Sequence, residues 1–285
     1  MKKGTAIPGN ENIVTVCLLF FSFFIISMGG TSAFALDIMG PPVTNLKQTQ
    51  FQTAFEYSQS TMKLQFVNGI YSDTVVGDSF DSGDVPDLEI TDFETSRIYS
   101  YFGYSFAYNC EGFVLLGTTS SEFNDLLTTQ SDKFKSDDTP VVGGGLKVTL
   151  YDDYRLRFGG IVQANWVNYN GQYKTSTSDT HYVGIDIKEV QIALGAIYKW
   201  TDYISVYGGP VYHYITGDYD DVFTTIDEDT GKLEILDYKA DIENSSNYGG
   251  YMGTQIELTK KLSFNFEYQV AGSDDAFGAN MVLRF

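Results

Sequence analysis

The sequence predicts an all-β protein, an antiparallel up-and-down transmembrane β-barrel of ten strands. Three observations predict it. Segment after segment alternates apolar and polar residues with period two, so each has one greasy and one polar face. Tyr and Phe number 21 each, beside 28 Gly and only 6 Pro, and an aromatic- and glycine-rich alternating chain is the profile of a lipid-embedded barrel. The connections alternate long and short, as they do in barrels with short turns on one side of a membrane and long loops on the other.

The first 35 residues stand apart. Lys2 and Lys3 precede an uncharged apolar run from Ile13 to Met28, and Ala33-Phe34-Ala35 supplies an A-x-A cleavage site. Residues 1–35 therefore read as a signal peptide cut before Leu36, directing export through the Sec pathway. The run is shorter than the roughly 20 residues of a spanning helix. Cys17 leaves with the leader, and Cys110, left alone, excludes an internal disulfide. The formal charge of −19 argues against nucleic acid as a partner.

Residues 36–49 read as an irregular leader and 50–285 as the barrel. The first strand, Gln50–Ser60, aligns Phe51, Thr53, Phe55 and Tyr57. Thr61 to Glu94 begins with a stretch that can prolong the strand and then, with Asp73, Asp78, Asp81, Asp84, Asp87, Glu89 and Asp92, reads as a long solvated loop. Ser96–Ala107 aligns Ile98, Phe102, Tyr104 and Phe106, and a tight turn leads to Gly112–Ser121. A polar loop over 122–138 precedes Val141–Leu150, and a short turn joins it to Tyr154–Asn168 with Leu156, Phe158, Val162 and Trp166 aligned. A polar loop over 171–184 precedes Asp186–Trp200, followed by a turn and Tyr203–Thr216. Gly217 to Ser246 reads as a second acidic loop. Tyr248–Leu258 and the final hairpin, Leu262–Val270 and Phe277–Phe285, complete the ten. Eight strands result if two of these segments are not strands, and twelve if the first long loop holds a hairpin.

Trp200 closes a strand at a short turn, while Trp166 lies about a dozen residues above another. A tilted strand crosses an apolar band of about 25 Å in about ten residues, so the two rings fall at opposite interfaces as an aromatic girdle. The opposite parity gives the lumen. It carries a charge network of Glu56, Lys147, Arg155, Arg157, Glu257, Glu267 and Arg284, with Gln163, Asn165, Gln191, Lys199, His213, Gln255 and Gln269 and many glycines. Buried charges need partners. Arg284 and Glu56 lie on strands that closure makes neighbours, and Glu257 and Glu267 call for cations such as Arg155 or Arg157. The inner count is mildly cationic, and a barrel this narrow is filled by side chains.

Catalytic signals are thin. Asp179-Thr180-His181 resembles half of the omptin protease site, with Asp218 and Asp220 at a suitable spacing for the acidic pair but in the wrong chain order. His213 faces the lumen near its long-loop mouth, with Ser205 too far down the strand to touch it, and reads as a hydrogen-bonded lumen residue. Asp227 and Asp229 in IDEDTGKLE are weak calcium-loop candidates without the remaining ligands of an EF-hand, and DEDTGK is equally a good β-turn. The acidic loops suit loosely held divalent cations rather than a specific metal site.

The A-x-A leader, the YGGPVYHY strand at 207–214, the alternating last strand and the terminal Phe285 together resemble the small outer-membrane β-barrel superfamily of opacity-type proteins and OmpA-like membrane domains. That resemblance implies that Met281, Leu283 and Phe285 are the signal read by the barrel-assembly machinery. It implies an integral protein of the cell outer membrane, a monomer in contact with lipid and lipopolysaccharide. The expected role is non-enzymatic, presenting acidic loops at the surface, with a narrow porin-like channel and an outer-membrane hydrolase as alternatives. A soluble lipocalin-like barrel is the fold alternative, with the greasy face turned inward.

Overall fold

A computed structural model describes residues 37–77, 80–124, 133–173, 180–226, 231–272 and 274–285. The signal-peptide segment 1–35, Asp179, Asp227 and Asp229 lie outside the described residues. Among the described residues thirteen strands form one antiparallel sheet. They are β1 (Phe51–Val75), β2 (Phe80–Val85), β3 (Leu88–Ala107), β4 (Cys110–Asn124), β5 (Lys133–Ser136), β6 (Thr139–Asp152) and β7 (Leu156–Tyr173). Then follow β8 (Thr180–Lys199), β9 (Ile204–Ile226), β10 (Leu233–Asn244), β11 (Tyr248–Glu257), β12 (Leu262–Ala271) and β13 (Asp274–Arg284).

At the short-turn end ten of these close a ring: β1, β3, β4, β6, β7, β8, β9, β11, β12 and β13, with β13 returning to β1 from Gln52↔Arg284 to Thr61↔Asp275. The seam is tied at its base, where the Phe285 N–H donates to the Phe51 carbonyl (2.9 Å) and Phe51 stacks on Tyr104 at 4.6 Å. Toward the other end β10 takes the place of β11–β13 between β9 and β1, and β5 takes that of β6 between β4 and β7. The wall therefore continues as eight strands above the ten.

This corrects the reading of two regions as solvated loops. Thr61 to Glu94 is a long hairpin: β1 runs on to Val75 and is paired by β2 and then β3, which are interrupted only at Pro86 and Asp87. Proline cannot donate to a ladder, which accounts for the break. Gly217 to Ser246 is likewise mostly strand, β9 on β10 from Thr216↔Glu243 to Ile226↔Leu233. The polar loops at 122–138 and 171–184 also give up residues to strands β4, β5, β7 and β8.

The apolar residues change sides along the strands. In β1, Phe55 and Tyr57 point outward, but Met62, Leu64 and Phe66 point inward and are fully buried. In β8, Ile192 and Leu194 point outward, but Val183, Ile185 and Ile187 inward. β7 does the same between Trp166 and Val167, and β9 between Tyr214 and Ile215. In the ten-strand half the outer face is a belt of exposed Phe102, Val114, Leu116, Leu146, Val162, Phe266 and Met281 around a polar interior, the arrangement of a barrel that crosses a bilayer. In the eight-strand half many outward positions are charged, among them Lys188, Asp218, Asp220 and Asp241, and the same alternation encloses an apolar core. That core is rich in rings: Phe93 packs on Phe123 (5.5 Å) and edge-on to Tyr169 (5.7 Å), and Phe66 packs on Tyr219 (4.6 Å). The acidic residues that marked these segments as loops occupy the other parity, with Asp84, Asp218, Asp220 and Asp241 exposed.

Candidate functional site

The lumen of the ten-strand half holds a segment of the chain itself. Residues 37–44 and Leu46 are buried, and they descend from Asp37, deepest in the barrel, to the rim where β1 begins. The leader expected over 36–49 to be irregular is irregular, but over its described part it is an internal plug rather than an external tail. It contains two prolines and so cannot form a ladder of its own; the wall supplies its hydrogen bonds. Inward glycines make the room. A Cβ on Gly278 would lie 2.6 Å from Ile38 Cγ2, and one on Gly159 would strike the Pro42 carbonyl.

Three tiers of polar side chains hold the plug. Nearest the short turns, Glu111 accepts from the Tyr101 hydroxyl and Gln52 (both 2.5 Å) with one oxygen and from the Thr44 hydroxyl (2.8 Å) with the other. Arg157 donates to Asn45 Oδ1 at 2.7 Å and to the Thr44 carbonyl at 3.4 Å. In the middle tier Lys147 donates to the Met39 carbonyl (2.8 Å), its ammonium lying over the rings of Tyr101 and Phe113 at 5.5 and 5.7 Å. Glu267 accepts from the Met39 N–H (2.9 Å) and from Gln269 (2.6 Å).

The top tier centres on Arg97, which is 1 % exposed. It meets Asp37 Oδ2 at 2.7 Å and both oxygens of Glu189, at 2.5 and 2.7 Å. Tyr99 (2.8 Å) and Asn165 (2.5 Å) also donate to Asp37 Oδ2. Gln269 donates to the Asp37 carbonyl at 2.8 Å, and Gln191, with its amide turned to match, pairs with both backbone groups of Asp37. Two carboxylates thus share one guanidinium, a charge cluster that is retained only when its members stay together. A void of about 30 Å³ remains beside the plug, lined by Glu56, Lys147, Gln163, Asn265, Asn280 and Arg284 among others, enough for one or two waters.

The expected charge network is brought together in part. Glu56, Lys147, Glu267 and Arg284 are buried in the lumen, and Arg157 and Glu257 lie half-buried at its rim. Arg155 does not belong: it is exposed in the turn before β7, because β7 starts one residue later. Glu257 instead faces Arg284 at 3.7 Å, and Glu267 is held by hydrogen bonds from the plug and Gln269. Closure does make β1 and β13 neighbours, but the register sets Glu56 opposite Asn280 and Arg284 opposite Gln52. The inner surface is not cationic: Asp37, Glu56, Glu111, Glu189 and Glu267 are buried against Arg97, Lys147 and Arg284. Arg97, Glu111, Glu189 and Asp37 were not singled out by the sequence reading. The first three sit on the correct inward parity; Asp37 carries no parity because it is on no strand.

Trp166 on β7 and Trp200 in the turn after β8 are both exposed, and the Trp166 indole donates to Asp186 at 3.0 Å. His213 is buried in the lumen, but neither ring nitrogen has a hydrogen-bond partner among the described residues, unlike the bonded histidine expected. His181 is buried in the eight-strand half and meets Asp221 at 2.5 Å, with Tyr219 donating to the other Asp221 oxygen at 3.2 Å. Asp218 and Asp220, the pair weighed for an omptin-like site, point outward. Asp220 meets Lys239 at 3.1 Å and, through that hydrogen bond, holds the exposed ammonium above its usual range.

No family model matches the sequence, and no curated protein does. Among solved structures the chain is similar to the translocator domain of the autotransporter NalP from Neisseria meningitidis, at 10% identity and a TM-score of 0.42, covering 85% of this chain and 90% of that one. It is similar also to the outer membrane protease OmpT from Escherichia coli, at 12% identity and a TM-score of 0.42, over 82% and 94% of the two chains. A third is the attachment invasion locus protein Ail of Yersinia pestis, at 9% identity and a TM-score of 0.28, over 84% and 100%. At these scores the likenesses carry no weight for function.

Proposed function

We propose that the protein is a non-enzymatic, monomeric integral barrel of the outer membrane that braces the bilayer and carries rigid acidic β-ribbons at the cell surface. The observation that supports this most is a lumen closed twice: a plug fills the polar half, and the apolar core fills the half above it. The belt of outward apolar side chains suits lipid, and the short turns suit the periplasmic side, where an exported chain arrives. The outward carboxylates of the hairpins suit loosely held divalent cations among lipopolysaccharide headgroups.

Planar-bilayer recording tests the reading. The purified barrel is expected to show no discrete openings under applied voltage. Stable unitary steps from the wild-type chain would instead favour the narrow porin-like channel.

Phe285, with Met281 and Leu283, is proposed as the assembly signal, and its backbone also ties the seam to Phe51. Deleting Phe285 is expected to lower the heat-modifiable, assembled fraction in membranes several-fold. Barrels that do assemble should lose only about 1 kcal/mol, the scale of one hydrogen bond. An unchanged assembled fraction would remove the signalling role and leave the packing one.

A further inference from the structure

We propose that the protein holds an anionic phospholipid of the leaflet facing the short turns, with its acyl chain in an apolar cleft at the seam and its phosphate among Lys47, Lys260 and Lys261. This rests on the membrane-spanning reading above and gives that barrel a particular lipid partner.

The cleft comes from one small residue among rings. On the outer face at the base of the seam, register sets Phe51 opposite Tyr104, and Thr53 between Leu283 and Phe102. Phe51, Phe102, Tyr104 and Phe285 are all exposed there. Thr53 is too short to fill the space between them. Its hydroxyl donates to the Tyr101 carbonyl at 3.0 Å, so its polar atom is satisfied within the wall. The result is a cleft of about 370 Å³ walled by those four rings. Ordinary small-ligand sites hold about 300–1,000 Å³. Rings on every side suit hydrocarbon rather than a sugar or a hydrated ion.

Charge at the rim of the cleft favours an anion independently. The Lys261 carbonyl accepts from the Arg284 N–H at 2.8 Å, which holds the turn between β11 and β12 beside the residue preceding Phe285. Lys47 is fixed on the other side. Its carbonyl accepts from the Gln50 N–H (3.1 Å) and its N–H donates to the Gln50 side chain (2.8 Å), just before Phe51. Lys47, Lys260 and Lys261 are exposed, and none of them meets a carboxylate among the described residues. Glu257, at the end of β11, faces Arg284 at 3.7 Å instead. The far arc of the same rim differs: the turns before β7 and β9 carry Asp152, Asp153 and Asp202, and Lys199 there meets Asp202 at 2.9 Å. A chain of formal charge −19 thus gathers three cations on one arc, beside the cleft. A lysine stem lies along apolar surface while its ammonium reaches headgroup level, where it attracts phosphate. A phospholipid uses both features at once, and a free phosphate leaves the cleft unused.

The test uses the barrel purified from membranes in detergent and titrated with dioleoyl phosphatidylglycerol or with dioleoyl phosphatidylcholine, which has the same chains and no net charge. Native mass spectrometry counts the bound lipids. The first phosphatidylglycerol is expected to bind about tenfold more tightly than phosphatidylcholine. Lys47→Gln combined with Lys261→Gln is expected to shrink that preference to within about twofold. Arg155→Gln, on the far arc, is expected to leave it unchanged. Equal affinity of the two lipids for the wild-type barrel would overturn the inference. So would equal losses from the arginine and lysine variants, since that means diffuse attraction without a site. Thr53→Phe fills the cleft and is expected to weaken both lipids several-fold; unchanged binding would overturn the role of the cleft. Should that variant not assemble, the lysine variants, altered only at exposed rim positions, still decide. Excess inorganic phosphate is expected not to release the lipid, and release would reduce the site to a phosphate site. Discrete openings in a planar bilayer would sink the closed-lumen function and leave this inference standing. A chain that stays soluble without detergent would sink the membrane-spanning reading itself.

Discussion

Replacing Arg97 by Ala is expected to destabilise the barrel by about 3–5 kcal/mol, the usual effect of removing one partner from a buried charge cluster. The reason is what remains. Asp37 and Glu189, both 1 % exposed, would face each other without a cation in a site closed by the apolar core. Urea unfolding in detergent, followed by the fluorescence of Trp166 and Trp200, measures the change. Glu189→Gln in the Arg97→Ala background removes one stranded carboxylate and is expected to recover part of the lost stability. Arg97→Ala alone costing under about 1 kcal/mol would place this cluster among ordinary surface pairs, contrary to its burial.

Phe93→Ala should be nearly as damaging, at about 3–5 kcal/mol for a buried ring that leaves a cavity. Phe93 is fully buried between Phe123 and Tyr169 in the eight-strand half. Had Thr61 to Glu94 been a solvated loop, the same change would fall within about 0.5 kcal/mol. The loss should also be local. Limited proteolysis is expected to open the long hairpins of the variant first, while the ten-strand ring below keeps its heat-modifiable mobility. Uniform loosening of both halves would mean that the two cores do not fold as separable layers.

The site was legible in proportion to how far period-two alternation reaches. Inward residues such as Glu56, Lys147, Glu267 and Arg284 follow from parity alone, because a pleat leaves no third direction. Arg155 failed where parity loses meaning, in a turn. The pairing of Arg284 with Glu257 rather than Glu56 was not legible, because register between the first and last strands depends on closing the whole ring. The acidic hairpins misled for a different reason. Carboxylates are common in loops, but they are equally suited to the wet face of a strand whose other face is apolar, and Met62, Leu64 and Phe66 show that pattern once the outer solvent is water. A surplus of inward glycines was the one trace of the plug, since a side-chain-filled lumen has no use for so many empty positions.

By itself the sequence determined an antiparallel barrel of ten strands at the short-turn end, and its inside and outside in that half. Those properties are repeated locally in every strand and need no knowledge of distant partners. Tertiary structure alone decided what occupies the interior. Residues 37–46 have no periodicity to read, and their place follows from complementarity with side chains drawn from seven or more strands. Asp37 meets Arg97, Asn165 and Gln269 only because the closed ring brings residues up to 232 positions apart within hydrogen-bond reach. Such a contact is set by volume and charge in a finished enclosure, and no short stretch of chain encodes it.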